Sequence, residues 1–123
     1  MNIALWIVQA LLAVAFLGAG AMKLTQPKEK LVTLLAWAES FSPTSIKLIG
    51  AVEVLGALGL VLPALTGIAQ VLTPLAAVGL AVVMVGAIVT HGRRGERPMI
   101  AVNVVLLALA LFVAWGRFGP YAF

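Results

Sequence analysis

The distribution of charged residues is the feature that most limits how this 123-residue chain can fold. Three long segments carry no Asp, Glu, Lys or Arg: residues 1–22, 54–90 and 98–116. A helix crosses the hydrocarbon core of a bilayer with about 20 apolar residues, at about 1.5 Å per residue. The middle segment is therefore too long for one crossing, and Pro63 and Gly67 interrupt it. The sequence predicts four spans, at about 3–24, 44–63, 67–91 and 98–116.

Composition agrees with a protein that is embedded in a membrane. Apolar residues make up 63% of the chain and charged residues only 10%, with a mean hydropathy of +1.18. Soluble domains carry about 25% charged residues. The prediction is one integral membrane domain over residues 1–123, an all-α bundle of four transmembrane helices in a lipid bilayer. The net charge of +4 does not indicate a nucleic-acid partner, because the basic residues flank apolar spans, where they contact anionic lipid.

The positions of Lys and Arg predict the orientation of the spans. Arg117 is alone at one end of the predicted bundle, and the other seven basic residues lie at the opposite end: Lys23, Lys28, Lys30, Lys47, Arg93, Arg94 and Arg97. Basic loops stay in the cytoplasm, so both charged loops are expected inside and both termini outside. Trp6, Trp115 and Tyr121 would then form an aromatic belt at the outer interface. The first span is expected to be retained rather than cleaved as a signal peptide, because no Lys or Arg precedes Lys23.

The segment between the first two spans has a different pattern. Thr25 is a predicted cap for a short helix that opens at Pro27, and Ser42 is a predicted N-cap for a second span whose first residue is Pro43. Apolar side chains recur between them at helical spacing: Leu31, Leu34, Leu35, Ala38 and Phe41. This pattern predicts a short amphipathic interfacial helix that lies on the bilayer surface. The alternative is a cap folded over the mouth of the bundle.

A few polar residues interrupt the cytoplasmic half of the predicted spans. Glu53 shares a helix face with Gly56 and Ala57, where another helix can come close, and Lys23 continues a stripe of small residues on the first span. His91 and Asn103 lie in the same half of the third and fourth spans. Ionisable residues inside a membrane are functional candidates by default, so Lys23, Glu53, His91 and Asn103 form the candidate intramembrane polar site. The alternative is a structural role, in which Glu53 only holds the bundle together.

Other polar residues support narrower interpretations. Arg93, Arg94 and Arg97 are candidate contacts for an anion or a lipid headgroup, besides their part in orientation. The chain has no Cys and a single His, so no metal site built from protein side chains is expected. A haem held by two histidines would require a dimer. Gln9 lies toward the outer half of the first span, with no polar neighbour in the sequence to suggest a site.

Three stretches resemble the DoxX-like family of small four-helix membrane proteins. They are Phe16 to Leu24, which ends in Lys-Leu; Gly50 to Pro63, with Gly-x-x-Glu-x-x-Gly; and Val89 to Glu96, with His-x-Arg-Arg. The resemblance implies a multi-pass protein of the bacterial inner membrane. It also implies that the polar positions of the family pattern correspond here to Lys23, Glu53, His91, Arg93 and Arg94.

The resemblance and the polar site together favour a membrane subunit or a quinone-interacting component of a redox system. In this hypothesis a quinone is the cofactor, its headgroup lies beside Glu53 and His91, and Lys23 tunes Glu53. The first alternative is a non-catalytic partner that assembles or stabilises another membrane complex. The second is a small carrier, which would work as a homodimer because four spans seldom enclose a full pathway.

Overall fold

The computed structural model describes residues 1–123, with the exception of the side chain of Leu34. Every regular element in the described residues is helical, so the predicted all-α class is confirmed. The elements are α1 (Asn2–Thr25), α2 (Lys28–Leu34), a 3₁₀ helix (Ala36–Ser40), α3 (Pro43–Thr66), α4 (Leu72–Arg94) and α5 (Arg97–Phe118). Helices α1, α3, α4 and α5 are long and apolar enough to cross a membrane.

The four long helices form a bundle in which α1 packs on α3, α3 on α4, and α4 on α5, with a smaller contact between α1 and α5. Their inner faces bury Leu12, Phe16, Leu60, Leu80 and Val113. Large apolar side chains also cover the outside of every long helix. A bundle that is apolar both inside and outside suits lipid rather than water. We call the end of the bundle with residues 25–43 and 92–97 the charged end, and the opposite end the terminal end.

The predicted end of the second span at Pro63 is wrong, because α3 continues to Thr66. A proline inside a helix lacks the N–H that would bond the carbonyl four residues earlier. Here the hydroxyl of Thr73 donates to that carbonyl, on Gly59, at 3.1 Å. The helix therefore tolerates Pro63 and ends at Gly67, which has the left-handed φ of 73° that favours glycine.

The predicted start of the third span at residue 67 is also wrong, because α4 begins at Leu72. Both Gly67 and Ala69 have positive φ, 73° and 50°, so the chain turns before the helix can begin. The same helix continues past residue 91 to Arg94, and Gly95 ends it with a φ of 71°.

The segment between α1 and α3 folds as two short helices instead of one. Leu35 separates them with an extended backbone. The predicted cap at Thr25 is wrong, since this residue belongs to α1 and its hydroxyl donates to the Ala21 carbonyl. The predicted cap at Ser42 is confirmed, because its hydroxyl accepts from the Ser45 N–H at 3.1 Å.

This segment packs over the charged end of the bundle. Leu31 and Ala38 are buried against Ile46 of α3, and Trp37 and Phe41 pack beside them with their rings edge to face. The arrangement corresponds to the cap over the bundle mouth, which is the alternative prediction from the sequence. We call residues 26–42 the capping segment.

Helices α1 and α3 cross most closely at a pair of glycines. A methyl group on Gly20 would lie 2.6 Å from the Gly50 carbonyl oxygen, and one on Gly50 would lie 2.8 Å from that of Gly20. Such distances are shorter than any real contact, so only glycine permits this crossing. The crossing brings the charged end of α1 against α3.

Candidate functional site

The central feature of the site is an ion pair between α1 and α3. Lys23 Nζ donates to Glu53 Oε1 at 2.6 Å. The two side chains are only 8% and 4% exposed. Removing two charges from water is costly, and a short, well-oriented contact between them offsets that cost.

The direction of the helices explains why the two side chains meet. Side chains tilt toward the N-terminus of their own helix. Lys23 therefore leans along α1 toward the middle of the bundle, and Glu53, on the antiparallel α3, leans toward the charged end. The close crossing at Gly50, which lies beside the Cβ of Lys23, brings them within reach. The aromatic ring of Trp37 lies 5.5 Å from the ammonium group, close enough for a cation–π contact.

The ion pair borders a cavity of about 390 Å³. All four long helices and the capping segment contribute to its walls, and the two remaining candidates, His91 and Asn103, line it as well. The structure therefore brings together the four residues of the candidate polar site. The other walls are mainly apolar: Phe16, Met22, Trp37, Phe41, Met84 and Leu106.

Asn103 has a buried donor that nothing in the described structure uses. Its side chain is buried, and the amide Nδ2 has no hydrogen-bond partner. A buried donor without a partner costs about 1–3 kcal/mol. Because Asn103 lines the cavity, a ligand with an acceptor atom can remove this cost.

His91 is held by the loop that follows α4. Its Nδ1 donates to Glu96 Oε1 at 2.8 Å, which leaves Nε2 as the free ring nitrogen. The hydrogen bond from His91 holds the pKa of Glu96 below its usual value, and the nearby Arg94 guanidinium acts in the same direction. Glu96 therefore remains ionised and fixes the orientation of the imidazole ring at the cavity wall.

The three arginines that follow His91 have different surroundings. Arg94 is partly buried, donates to Ser40 Oγ at 2.6 Å and has its Nε 3.4 Å from Glu96 Oε1. It ties the capping segment to the loop between α4 and α5. Arg93 and Arg97 are exposed, so they are the two that a lipid headgroup can reach.

The sequence predicts that Phe41 belongs to a short helix on the bilayer surface, with a cap over the bundle mouth as the alternative. In the structure Phe41 and Trp37 line the cavity. The signal was present in their helical spacing with Leu34 and Ala38, but spacing alone does not say whether lipid or protein covers an apolar face. The side of the cavity between α1 and α5 includes the exposed residues Ala15 and Val102, so it meets the apolar outer surface there.

The site can hold a ligand that has a polar, acceptor-rich group and an apolar body. The Lys23 ammonium and the Asn103 amide are donors, and the free nitrogen of His91 can donate or accept a proton. Among the described residues, no three His, Asp or Glu side chains come together as a metal centre would require.

Comparison with known proteins gives one result. No curated protein and no solved structure matches the chain. A family model, described as the DoxX-like family, matches residues 7–113, which include the capping segment and all four residues of the candidate site. The chain therefore belongs to the DoxX-like family.

Proposed function

We propose that this protein binds a membrane-soluble quinone in the cavity and serves as a quinone-interacting component of a redox system in the bacterial inner membrane. The observation that carries the proposal is the buried, unpartnered Nδ2 of Asn103 in the wall of a mostly apolar cavity. A quinone headgroup has two carbonyl acceptors and no donors. Its carbonyls can therefore accept from Asn103 Nδ2 and Lys23 Nζ in the cavity wall.

The size and walls of the cavity support a ring-shaped ligand. Small-molecule pockets are typically about 300–1,000 Å³ and are lined by apolar and aromatic side chains with a few polar groups. The volume of about 390 Å³ is near the lower limit, which suits a single headgroup. The exposed wall residues Ala15 and Val102 provide an exit between α1 and α5 for an alkyl or isoprenoid tail.

Charged pairs beside the headgroup give the site its chemical role. Reduction of a quinone takes up two electrons and two protons. The electrons would come from a partner oxidoreductase, and the Lys23–Glu53 and His91–Glu96 pairs would exchange protons with the quinone oxygens. The excess of basic residues at the charged end favours a cytoplasmic position for this end, where protons are available.

Fluorescence of Trp37 provides a direct binding test. In a Trp6→Phe/Trp115→Phe background, Trp37 is the only tryptophan, and it lines the cavity. A decyl benzoquinone is expected to quench it saturably in detergent. Asn103→Leu should weaken binding by about tenfold, because loss of one hydrogen bond corresponds to about 1 kcal/mol or slightly more.

Gln70→Leu is the matched control. It removes an amide from the turn at the terminal end, away from the cavity, and should leave the dissociation constant unchanged. Quenching that does not saturate, or an equal effect of both substitutions, would exclude the proposed site.

The alternative function, assembly of another membrane complex, predicts different results. A protein of that kind would bind no quinone, and a partner would be lost from purified samples when residues on the lateral surface of a span are changed. Asn103→Leu would then leave the partner bound, whereas the quinone proposal predicts that it impairs quinone turnover in the complex.

A further inference from the structure

The terminal end of the bundle contains a buried arginine that the proposed function does not use. Arg117, in the last turn of α5, is only 3% exposed. Its Nε donates to Gln9 Oε1 at 2.7 Å, and its Nη1 donates to Asn2 Oδ1 at 2.7 Å and to the Tyr121 carbonyl at 2.9 Å. The remaining nitrogen, Nη2, is buried and has no partner among the described atoms.

No carboxylate side chain compensates this charge. All four acidic residues of the chain are glutamates, and Glu29, Glu39 and Glu96 belong to the charged end. Glu53 pairs with Lys23 and lies about 20 Å along α3 from the terminal end. The partners of Arg117 are all neutral acceptors, and a buried charge without a counter-ion is unfavourable by several kcal/mol.

The local structure holds the guanidinium rigidly in this position. Gln9 Nε2 donates to the Leu60 carbonyl at 2.7 Å, which orients its Oε1 toward Arg117. Close packing of Gly116 on Leu5 brings the end of α5 against the start of α1. The orientation of the guanidinium is therefore set by the protein and not by a ligand.

A hollow of about 450 Å³ adjoins the guanidinium and is lined by Arg117 together with Asn2, Trp6, Tyr121 and Phe123. The rings of Trp6 and Phe123 lie 5.7 and 4.2 Å from the Arg117 Cζ. The Phe123 ring lies over the guanidinium and is itself 43% exposed, so displacement of this ring would open a path from the hollow to Arg117.

We propose that this hollow binds the phosphate of an anionic phospholipid, with Arg117 Nη2 as a donor and its charge as the counter-ion. A guanidinium recognises phosphate oxygens with directed hydrogen bonds. The exposed ring of Trp115 contacts Tyr121 in the wall of the hollow, so the hollow adjoins the apolar outer surface, which suits a phosphate that is attached to acyl chains. The site is separate from the quinone cavity and does not depend on the proposed function.

Native mass spectrometry of the full chain tests the proposal. With phosphatidylglycerol, we expect one tightly held lipid, with an affinity at least tenfold higher than for phosphatidylcholine. Arg117→Gln should abolish this preference. Lys30→Gln removes the same charge from an exposed position at the charged end and should keep it. Equal binding by the Arg117 variant and the wild type would overturn the proposal.

Two further measurements keep the test decisive if Arg117→Gln does not fold. Arg117→Lys retains the charge but not the planar fork, so it should lose at least threefold in affinity. Phe123→Ala uncovers the guanidinium and should increase affinity. An unchanged affinity in both variants would contradict the site. Inorganic phosphate alone should not raise the unfolding temperature as phosphatidylglycerol does, and an equal rise would refute the assignment to lipid.

Discussion

Replacement of the Lys23–Glu53 pair tests how the bundle is stabilised. We consider Lys23→Met, Glu53→Met and the double variant, because methionine keeps a similar side-chain length without charge. Both side chains are more than nine-tenths buried, and the N–O distance is 2.6 Å. Solvent therefore screens the attraction between these two charges much less than it screens a surface ion pair.

The expected magnitudes follow from what each variant leaves behind. Lys23→Met leaves a buried carboxylate without a partner, which should lower the free energy of unfolding by about 3–5 kcal/mol. Glu53→Met leaves the ammonium group beside Trp37, whose cation–π contact retains about 1 kcal/mol, so the loss should be about 2–4 kcal/mol. The double variant leaves no buried charge and should be close to the wild type, within about 1–2 kcal/mol.

The assay is equilibrium unfolding in mixed micelles with increasing SDS, followed by circular dichroism. Leu48→Met, on the exposed side of α3, is the control and should change stability by less than about 0.5 kcal/mol. If the double variant loses the sum of the two single losses within about 0.5 kcal/mol, the two side chains do not interact and the reasoning is refuted.

Three further predictions concern the fold around the site. Gly50→Ala should lower the free energy of unfolding by about 1–3 kcal/mol in the same assay, because its methyl would lie 2.8 Å from the Gly20 carbonyl oxygen; an unchanged midpoint would contradict the close crossing. Thr73→Val should lower it by about 1 kcal/mol, since the carbonyl freed by the proline in α3 loses its donor, whereas Thr73→Ser should not. The hydrogen bond from His91 lowers the pKa of Glu96 below 4.5, so Glu96 should stabilise the loop above pH 4.5 and lose this effect as the pH falls through its lowered pKa. The difference in unfolding midpoint between wild type and Glu96→Gln should therefore shrink on acidification, and a constant difference from pH 7 to 3 would contradict the assignment.

The fold was largely predictable because lipid imposes a simple rule on sequence. A span must be mostly apolar over about 20 residues, so the three uncharged stretches predict α1, α4, α5 and the second half of α3, whose first half contains Lys47 and Glu53. The ends were less predictable, since they depend on local hydrogen bonds. Proline normally stops a helix, and here the hydroxyl of Thr73, ten residues after Pro63, donates to the Gly59 carbonyl that the proline leaves free.

The residues of the candidate site could be predicted from the sequence, but the shape of the cavity could not. Polar residues within spans avoid lipid, which is why Lys23, Glu53, His91 and Asn103 could be expected to face inward. Neither the cavity nor its cover by Trp37 has a signature in one sequence, because spacing does not reveal which surface an apolar face contacts.

The contacts at the terminal end of the bundle also could not be predicted from the sequence. Gln9 appeared isolated and Arg117 appeared only to set orientation, yet the two are hydrogen-bonded across 108 positions of the chain. The pairing depends on α1 and α5 lying side by side, which the order of the spans does not determine.

The central claim is that the cavity beside Asn103 holds a quinone headgroup, and the most direct measurement is the small-molecule content of the protein purified from a membrane fraction. We predict close to one quinone per chain by mass spectrometry of the organic extract, with clear depletion in Asn103→Leu and none in Gln70→Leu. An extract that contains phospholipid but no quinone, at equal yield from all three proteins, would contradict the account.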